Sequence, residues 1–227
     1  MPSLSSKISI TYRGRFMKFR IEVAGPQHIP YAEEICKEME DSARVRGTGI
    51  AKRSPVYIQE KMKQGKAVIA LDEANKFAGF SYIESWSHEK FVANSGLIVR
   101  PEYRKSGLAR RIKRQIFELS RKKYPHAKIF GITTSLAVMR INSELGYKPV
   151  TFSELTQDDT FWKGCQACQN YDILSRNNFR MCLCTAMLYD PNKKQSPFDF
   201  VRKIKILERF RRIFSVQSSN NKEEGHA

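Results

Sequence analysis

The sequence contains no long apolar run. Among its 227 residues no stretch approaches the roughly 18–20 consecutive apolar residues that are needed to cross a bilayer. Basic side chains also interrupt the N-terminal segment before an apolar region of useful length develops, at Lys7, Arg13, Arg15 and Lys18. We therefore expect neither a transmembrane helix nor a secretory signal, and the sequence predicts a cytoplasmic protein.

Two phosphate-binding signatures are missing as well. The chain has neither the nucleotide-hydrolysis loop GxxxxGK(S/T) nor the dinucleotide fingerprint GxGxxG. Nucleotide hydrolysis is therefore not favoured, and a dinucleotide cofactor lacks its usual binding loop.

Acidic residues are few beside the basic ones. The chain has 40 Lys and Arg against 23 Asp and Glu, a formal net charge of +17. The basic residues are concentrated in residues 100–123 and 193–212. An excess of this kind favours a polyanionic partner, which is a nucleic acid, an anionic membrane or a phosphate-bearing cofactor. Because 41% of the residues are hydrophobic, a packed core is available and wholesale disorder is excluded.

Apolar periodicity and turn residues predict elements in the order β-α-α-β-β-β-α-β-α-β. The predicted strands are 19–23, 66–71, 77–86, 91–99, 127–134 and 147–152, and the predicted helices are 26–43, 54–65, 108–124 and 136–145. Ser54 and Pro55 form the clearest helix start, as N-cap and first helical residue. The order mixes antiparallel hairpins with helical crossovers, which predicts an α/β (α+β) sheet covered by helices.

The chain divides into four predicted segments. They are a flexible extension over 1–18, a core domain over 19–152, a Cys-rich completion of that domain over 153–190, and a basic segment over 191–227. The Cys-rich portion ends in a strand-like run over 179–189. The last segment contains an amphipathic helix at about 198–214 and a tail that we expect to be disordered.

The strand–turn–helix over residues 95–119 carries the most specific chemical signal. An apolar strand runs into Arg104-Lys105-Ser106-Gly107-Leu108-Ala109, and a helix begins at once. Small side chains let the backbone wrap round an anion, and the amides at the helix start suit a pyrophosphate. A generic basic helix cap is the alternative interpretation, and the strand placement and the small residues disfavour it.

In this stretch the chain resembles the GNAT superfamily of acyl-CoA-dependent N-acyltransferases. Their central motif is an (Arg/Gln)-x-x-Gly-x-(Gly/Ala) turn after a strand that ends V-x-P-x-(Y/F). The matching residues are Val99, Pro101, Tyr103, Arg104, Gly107 and Ala109. The resemblance covers about residues 19–152. The loop ARVRGTGIAKR over 43–53 and the Cys-bearing portion resemble more narrowly the short stand-alone bacterial GNATs that are associated with arginine biosynthesis.

This resemblance implies a mixed, mostly antiparallel GNAT-like sheet and an N-acyltransferase. The enzyme would move an acetyl or succinyl group from acyl-CoA directly to the amine of a small, carboxylate-bearing acceptor such as glutamate. It further implies that the CoA pyrophosphate is held by the amides of Arg104, Lys105, Ser106, Gly107, Leu108 and Ala109. The pantetheine arm would pair with the strand backbone at Leu97, Ile98 and Val99, and strands 91–99 and 127–134 would diverge to admit the thioester. The basic outer face of helix 108–124, including Lys113, either assists the phosphates or is simply solvated.

Direct transfer needs a proton acceptor for the amine, a donor for the tetrahedral oxyanion and a proton for the leaving thiolate. Many GNATs carry a Tyr acid four residues before a Gly-aromatic pair, but here that position holds Asn142, which cannot supply a proton. Glu84 is the candidate base, and an ordinary solvent-facing residue is the alternative. Ser95 is a further polar candidate on the diverging strand.

Three arginines flank the Gly-rich loop between the first two predicted helices, namely Arg44, Arg46 and Arg53. Guanidinium forks hold carboxylates well, so these residues are the candidate acceptor-binding groups. Surface solvation is the competing explanation for at least one of them.

Four of the five cysteines form the pattern CQAC…CLC, at Cys165, Cys168, Cys182 and Cys184. In an intracellular protein this spacing favours a structural tetrathiolate zinc site. Free core thiols and a redox C-x-x-C are the alternatives. A strand over 179–189 would place Cys182 and Cys184 on one face, where both could reach the other pair.

Two rival functions stay open at this stage. A zinc knuckle with basic helices would make the chain a nucleic-acid-binding protein without catalysis, although nucleic acid is the less favoured partner because no recognised nucleic-acid motif occurs. The predicted helix at about 198–214 either contacts an anionic membrane or a partner protein, or docks onto the domain.

Overall fold

Seven strands form the scaffold on which the remaining elements pack. They are β1 Arg20–Val23, β2 Ala67–Leu71, β3 Phe77–Trp86, β4 Phe91–Val99, β5 Lys128–Thr133, β6 Lys148–Val150 and β7 Thr185–Tyr189. They lie in one sheet in the order β1-β2-β3-β4-β5-β7-β6. The structure is a computed structural model that describes residues 18–46 and 52–193. Within that part of the chain β4 and β5 form the one parallel pair, because every other neighbouring pair is antiparallel.

Helices cover both faces of this sheet. They are α1 Ala32–Arg46, α2 Pro55–Lys63, α3 Leu108–Lys123, α4 Leu136–Glu144, α5 Asp159–Lys163 and α6 Tyr171–Arg176. Helix α2 begins where the sequence predicts, since Ser54 accepts a hydrogen bond from the Tyr57 amide at 3.2 Å and Pro55 is the first helical residue. Helix α3 is the crossover that makes β4 and β5 parallel.

Side-chain alternation along the fully buried strand β2 separates two cores. Val68 and Ala70 pack with the apolar stripe of α3, whereas Ala67, Ile69 and Leu71 pack with α1 and α2. A third core joins β5 and β7 to the segment that contains α5 and α6. The predicted fold class, a mixed and mostly antiparallel sheet flanked by helices, is confirmed.

Two predicted element boundaries are wrong. The predicted helix over 26–43 starts as a 3-10 helix at Pro26–Tyr31 that contains Pro30, and the α-helix then runs from Ala32 to Arg46, into the predicted loop. The strand-like run over 179–189 forms a strand only from Thr185. Phe179 has a φ of 60°, in the left-handed region, which is incompatible with an extended strand.

The chain separates into two compact units at residue 190. The first extends to Asp190, and the second begins at Pro191, of which only the first three residues are described. The predicted N-terminal extension lies almost wholly outside the described residues, and the predicted helix at about 198–214 and the tail lie entirely outside them. In the described part, no helix combines the length and the apolar character that a membrane span requires.

Candidate active site

The two parallel strands separate part-way along their length. They are paired from Phe91 with Lys128 to Ala93 with Phe130, and there the pairing stops. Both strands nevertheless continue, β4 to Val99 and β5 to Thr133. This divergence, which the resemblance to GNAT enzymes implies, leaves one backbone edge of β4 beyond Ala93 without a strand partner in the part of the chain that the structure describes. We call the point of divergence the fork.

A bulge in β4 bends that strand just beyond the fork. Strand β3 pairs Phe80 with Ile98 but Tyr82 with Ser95, so β4 contains an additional residue between them. Gly96 lies in this bulge with a φ of 62°, and a Cβ there would come within 2.4 Å of the Tyr82 ring. Only glycine meets both constraints.

Replacing Gly96 with Ala should lower the free energy of unfolding by about 2–4 kcal/mol, because left-handed strain and overpacking add. Urea denaturation measures this change. Gly131→Ala on β5 is the matched control, since the nearest atom to its added Cβ is Asn142 Nδ2 at 4.0 Å. Equal losses in the two variants would contradict this account of the bulge.

A pocket of about 720 Å³ opens at the fork. Polar groups line it from several elements, namely Arg53, Tyr57, Glu84, Asn94, Ser95, Lys113 and Asn142. Its other walls are largely apolar and come from Trp86, Leu97, Phe130, Phe152, Phe161 and Leu174. A concave site with a few convergent polar groups is the usual form of a small-molecule binding site.

Glu84 lies at the centre of a buried polar cluster in this pocket. Its side chain is 6% exposed, and Oε1 lies 3.2 Å from Arg53 Nη2. The Tyr57 hydroxyl donates a short hydrogen bond to the same oxygen. Arg53 Nε donates to the Tyr82 hydroxyl at 2.8 Å, which fixes the guanidinium. The alternative that Glu84 faces solvent is therefore wrong.

The electrostatics of this cluster keep its phenols protonated. Burial and then the negative charge of Glu84 raise the pKa of Tyr57 and Tyr82 far above the ordinary value. Burial acts to lower the pKa of Arg53, but the neighbouring Tyr82 and Glu84 outweigh it and raise that pKa overall. The carboxylate therefore has a permanent cation and a phenol donor beside it, and Oε2 forms no hydrogen bond with a described residue.

The turn before α3 has the geometry of an anion site. Lys105 and Gly107 have φ values of 64° and 79°, and α3 begins at Leu108. Backbone amides of residues 105–109 donate to no described residue, and a Cβ at Gly107 would meet no atom within 4 Å. Free amides at the start of a 16-residue helix are a ready site for phosphate groups.

Comparison with known proteins identifies this arrangement. A family model described as the acetyltransferase (GNAT) family matches residues 33–137, which include the fork strand β4, the turn and α3. The match covers 105 of the 227 residues, and over this region the chain is similar to the GNAT acetyltransferase family. No curated protein sequence matches it at a significant level.

Solved structures share this GNAT fold at low identity. N-acetylglutamate synthase from Neisseria gonorrhoeae, solved with coenzyme A and N-acetyl-glutamate, has a TM-score of 0.55 at 16% identity, over 78% of this chain and 36% of that one. A candidate acetyltransferase from Acinetobacter baylyi has a TM-score of 0.55 at 16% identity, over 79% and 97%. A Salmonella typhimurium protein solved with its cofactor acetyl-CoA has a TM-score of 0.53 at 13% identity, over 79% and 98%. At these identities the likeness shows the fold, and the chain spans little more than a third of the Neisseria enzyme.

The GNAT turn differs from expectation in one side chain. Arg104 does not point into the anion site with its guanidinium free, because Nε donates to the Val99 carbonyl at 3.0 Å and Nη2 to Ser42 Oγ at 3.1 Å. Its role in the described structure is to hold the turn against α1. Ser106 Oγ likewise donates to the Tyr103 carbonyl at 2.6 Å. The main chain, rather than these side chains, is therefore what the turn offers to a ligand.

The other predicted site residues divide between the pocket and the surface. Asn142 is buried at 1% exposure, lines the pocket, and its Oδ1 has no hydrogen-bond partner among the described residues. Ser95 also lines the pocket, whereas Arg44 is exposed and pairs with Asp41 at its own helix surface. Arg44 is therefore not among the residues that line the pocket, and the prediction that it binds the acceptor gains no support from its position. The side chain of Arg46 lies outside the described residues.

The four C-terminal cysteines line the end of the pocket near α5 and α6, at Cys165, Cys168, Cys182 and Cys184. Burial and then the neighbouring thiols raise the pKa of Cys165 to about 11. In the described residues no three potential ligands are arranged to hold a metal ion. Cys182 and Cys184 precede β7 instead of lying within a strand, so the shared face expected for them does not form. The positions of the four thiols do not fit a zinc site. Elemental analysis of the purified protein would test the zinc prediction directly.

Two pocket residues escaped the sequence analysis. Tyr57 follows the N-cap of α2 and reaches Glu84, and no local pattern marks a single Tyr on a helix for that role. The sequence pattern places Lys113 on the basic outer face of α3, but its side chain is buried, with 2% exposure. Lys113 lies three residues before Ile116 and seven before Ser120, which are both buried. Residues at these spacings share one face of a helix, so the spacing indicates that Lys113 lies on the buried face.

Proposed function

We propose that this chain transfers a short acyl group, acetyl or succinyl, from acyl-CoA directly to the amine of a small acceptor. The fork carries this proposal, because it brings a buried carboxylate and an open strand edge into one pocket. The free amides after residue 104 support a site for the CoA diphosphate. The unpaired edge of β4 at Leu97, Ile98 and Val99 supports pairing with the pantetheine amides.

Glu84 takes the amine proton in this proposal. The attacking nitrogen must be neutral, and Glu84 Oε2 is the acceptor left over after Arg53 and Tyr57 have bound Oε1. Tyr57 and Arg53 orient the carboxylate, as a general base requires. Asn142 Oδ1, which has no partner among the described residues, accepts a hydrogen bond from an amide N–H of the cofactor arm in this proposal.

For the acceptor we keep the class that the sequence predicts, a small amine with a carboxylate such as glutamate. Arg53 supports this class because its guanidinium has five N–H donors, of which the described hydrogen bonds use Nε–H and one on Nη2. Arg53 and Glu84 both line the pocket, so the remaining donors belong to a residue of the acceptor site. The Neisseria structure contains N-acetyl-glutamate, and we extend that acceptor to this chain as part of the proposal.

A panel of amines tests the function. Purified protein is incubated with acetyl-CoA or succinyl-CoA and glutamate, aspartate, phenethylamine or spermidine, and free thiol release and product mass are measured against a no-amine blank. We expect amine-dependent release, with glutamate turned over faster than spermidine. If only phenethylamine caused thiol release, the proposed acyl transfer would stand, but the proposal that the acceptor carries a carboxylate would be wrong. No amine-dependent release with either donor would contradict the proposed function itself.

The rival nucleic-acid function gains no support. It depends on a zinc knuckle, and the described cysteines do not form one. The basic residues of α3 that remain exposed are explained by solvation and by surface ion pairs such as Arg110 with Glu144.

A further inference from the structure

A buried lysine lies directly beneath the fork. Lys113 of α3 is 2% exposed, and its Nζ lies 3.4 Å from Asn94 Oδ1 and 5.2 Å from the centre of the Tyr147 ring. No carboxylate of the described residues forms an ion pair with it. Lys113 also lines the pocket. A buried cation without an opposite charge destabilises a fold, so a purely structural role is a poor explanation.

The hydrogen bonds around Lys113 leave its own donors largely unused. Asn94 Oδ1 also accepts from the Tyr147 hydroxyl at 2.9 Å, and Asn94 Nδ2 donates to Ser120 Oγ at 2.7 Å. Ser120 Oγ donates in turn to the Ile116 carbonyl. The amide and hydroxyl are therefore satisfied by one another, whereas an ammonium at Lys113 has three donors and a single acceptor.

Lys113 and Glu84 flank the fork from opposite faces of the sheet. Ile83 pairs with Asn94 and Glu84 with Ala93, so Asn94 and Glu84 point to opposite sides. Asn94 contacts α3, while Glu84 contacts Tyr57 of α2. The anion turn begins α3, so the cofactor side of the fork is the side of Lys113. The acceptor side is the side of Glu84.

We propose that Lys113 donates the proton to the CoA thiolate as it leaves, an inference that rests on the proposed function. The amine nitrogen forms its bond to the thioester carbonyl carbon, and its proton passes to Glu84. The carbon–sulfur bond then breaks, and the sulfur takes a proton from the Lys113 ammonium. Glu84 releases the amine proton to solvent and Lys113 takes one up from solvent, so the cycle leaves no net change in protons. This assignment supplies the proton that Asn142 cannot provide.

The state of Lys113 suits this role. Burial lowers its pKa to about 7, and no charged side chain contributes to the shift. Among the described residues the titratable group in contact with it is Tyr147. Burial and then Tyr189 raise the pKa of Tyr147 well above the ordinary value, so that it stays neutral. Across the pocket stand Arg53 and Glu84. An acid with this pKa is protonated below pH 7 and loses its proton above it, so the acid-dependent rate falls as pH rises through about 7.

The pH profile of kcat is the first test. Lys113→Met keeps the volume and removes the proton, and we expect kcat at pH 6 to fall about 10²–10⁴-fold, with the descending limb near neutral pH abolished. Lys113→Gln, which keeps a donor to Asn94, should behave in the same way and serves if the Met variant does not fold. Lys122→Met, an exposed position on the same helix, should keep the wild-type profile. A descending limb that persists in both Lys113 variants would overturn the inference.

Bound CoA gives a second readout that needs no acceptor. The ultraviolet absorbance of the thiolate reports the pKa of the CoA thiol in the complex. An ammonium beside the sulfur stabilises the thiolate, so we expect a lower thiol pKa with the wild type than with Lys113→Gln. An equal thiol pKa in the two complexes would place Lys113 away from the sulfur. If the wild type binds CoA with this shift but acylates no amine, the failure belongs to the proposed reaction and not to the position of Lys113.

Discussion

Glu84→Gln should lower kcat by about 10²–10⁴-fold, the usual contribution of a general base. The amide still accepts hydrogen bonds from Tyr57 and Arg53 through its oxygen, so the cluster keeps its packing. It can no longer take the amine proton. Because Glu84 and the turn at 104–109 belong to different parts of the site, the affinity for CoA should not change. Steady-state kinetics and calorimetric CoA titration measure the two quantities.

The control for this prediction is Glu73→Gln, which removes an exposed carboxylate in the turn between β2 and β3. It should leave both kcat and CoA affinity at the wild-type values. A Glu84→Gln enzyme with wild-type kcat would contradict the role of Glu84 as base, and it would leave the cofactor assignment standing. A parallel loss of CoA affinity would instead indicate that the variant disturbs the whole pocket.

Gly107→Glu should weaken CoA binding by about 100-fold or more, a loss of at least about 2.8 kcal/mol. The added side chain would start from a Cβ that meets no protein atom within 4 Å, so it extends into the space that the free amides face. Its carboxylate would then compete with and repel the diphosphate. Calorimetric titration with acetyl-CoA gives the affinity directly.

Gly107→Ala separates charge from backbone strain. Both substitutions place a non-glycine residue at a φ of 79°, which costs about 1–2 kcal/mol. Only the Glu variant adds a negative charge, so the Ala variant should lose stability while it retains most of its CoA affinity. Equal losses of affinity in the two variants would show that the turn conformation, and not an anion site, explains the effect.

Local sequence signals predicted the scaffold of the site well. Strands β3 and β4 occur at the predicted residues 77–86 and 91–99, and α3 begins at the predicted Leu108. The alternation of apolar residues in a strand and the apolar stripe of a helix are short-range patterns, so they can be recognised in the sequence before the fold is known. The GNAT motif after β4 likewise lies in one continuous segment, and the acetyltransferase family model that matches residues 33–137 agrees with the enzyme class that the motif predicts.

Long-range contacts explain what the sequence analysis missed. The partners of Glu84 come from 27 and 31 residues away, and those of Arg104 include Ser42, at 62 residues. Arg44 and Arg53 look equivalent in a Gly-rich loop, but the structure pairs Arg44 with its helix neighbour Asp41 and Arg53 with Glu84. No local pattern distinguishes them, because the difference lies in which strand each residue meets.

By itself the sequence determined the order of elements, the position of the turn before α3 and the acyltransferase motif, since each depends on neighbours along the chain. Only the tertiary structure decided where the charges stand. It placed Glu84 on one face of the sheet, where Arg53 offsets its burial. It placed Lys113 beneath the fork on the other face, where no carboxylate of residues 18–46 or 52–193 offsets the burial of its amine. The electrostatic environment of a side chain depends on all the elements that surround it, and those elements come together only when the chain has folded.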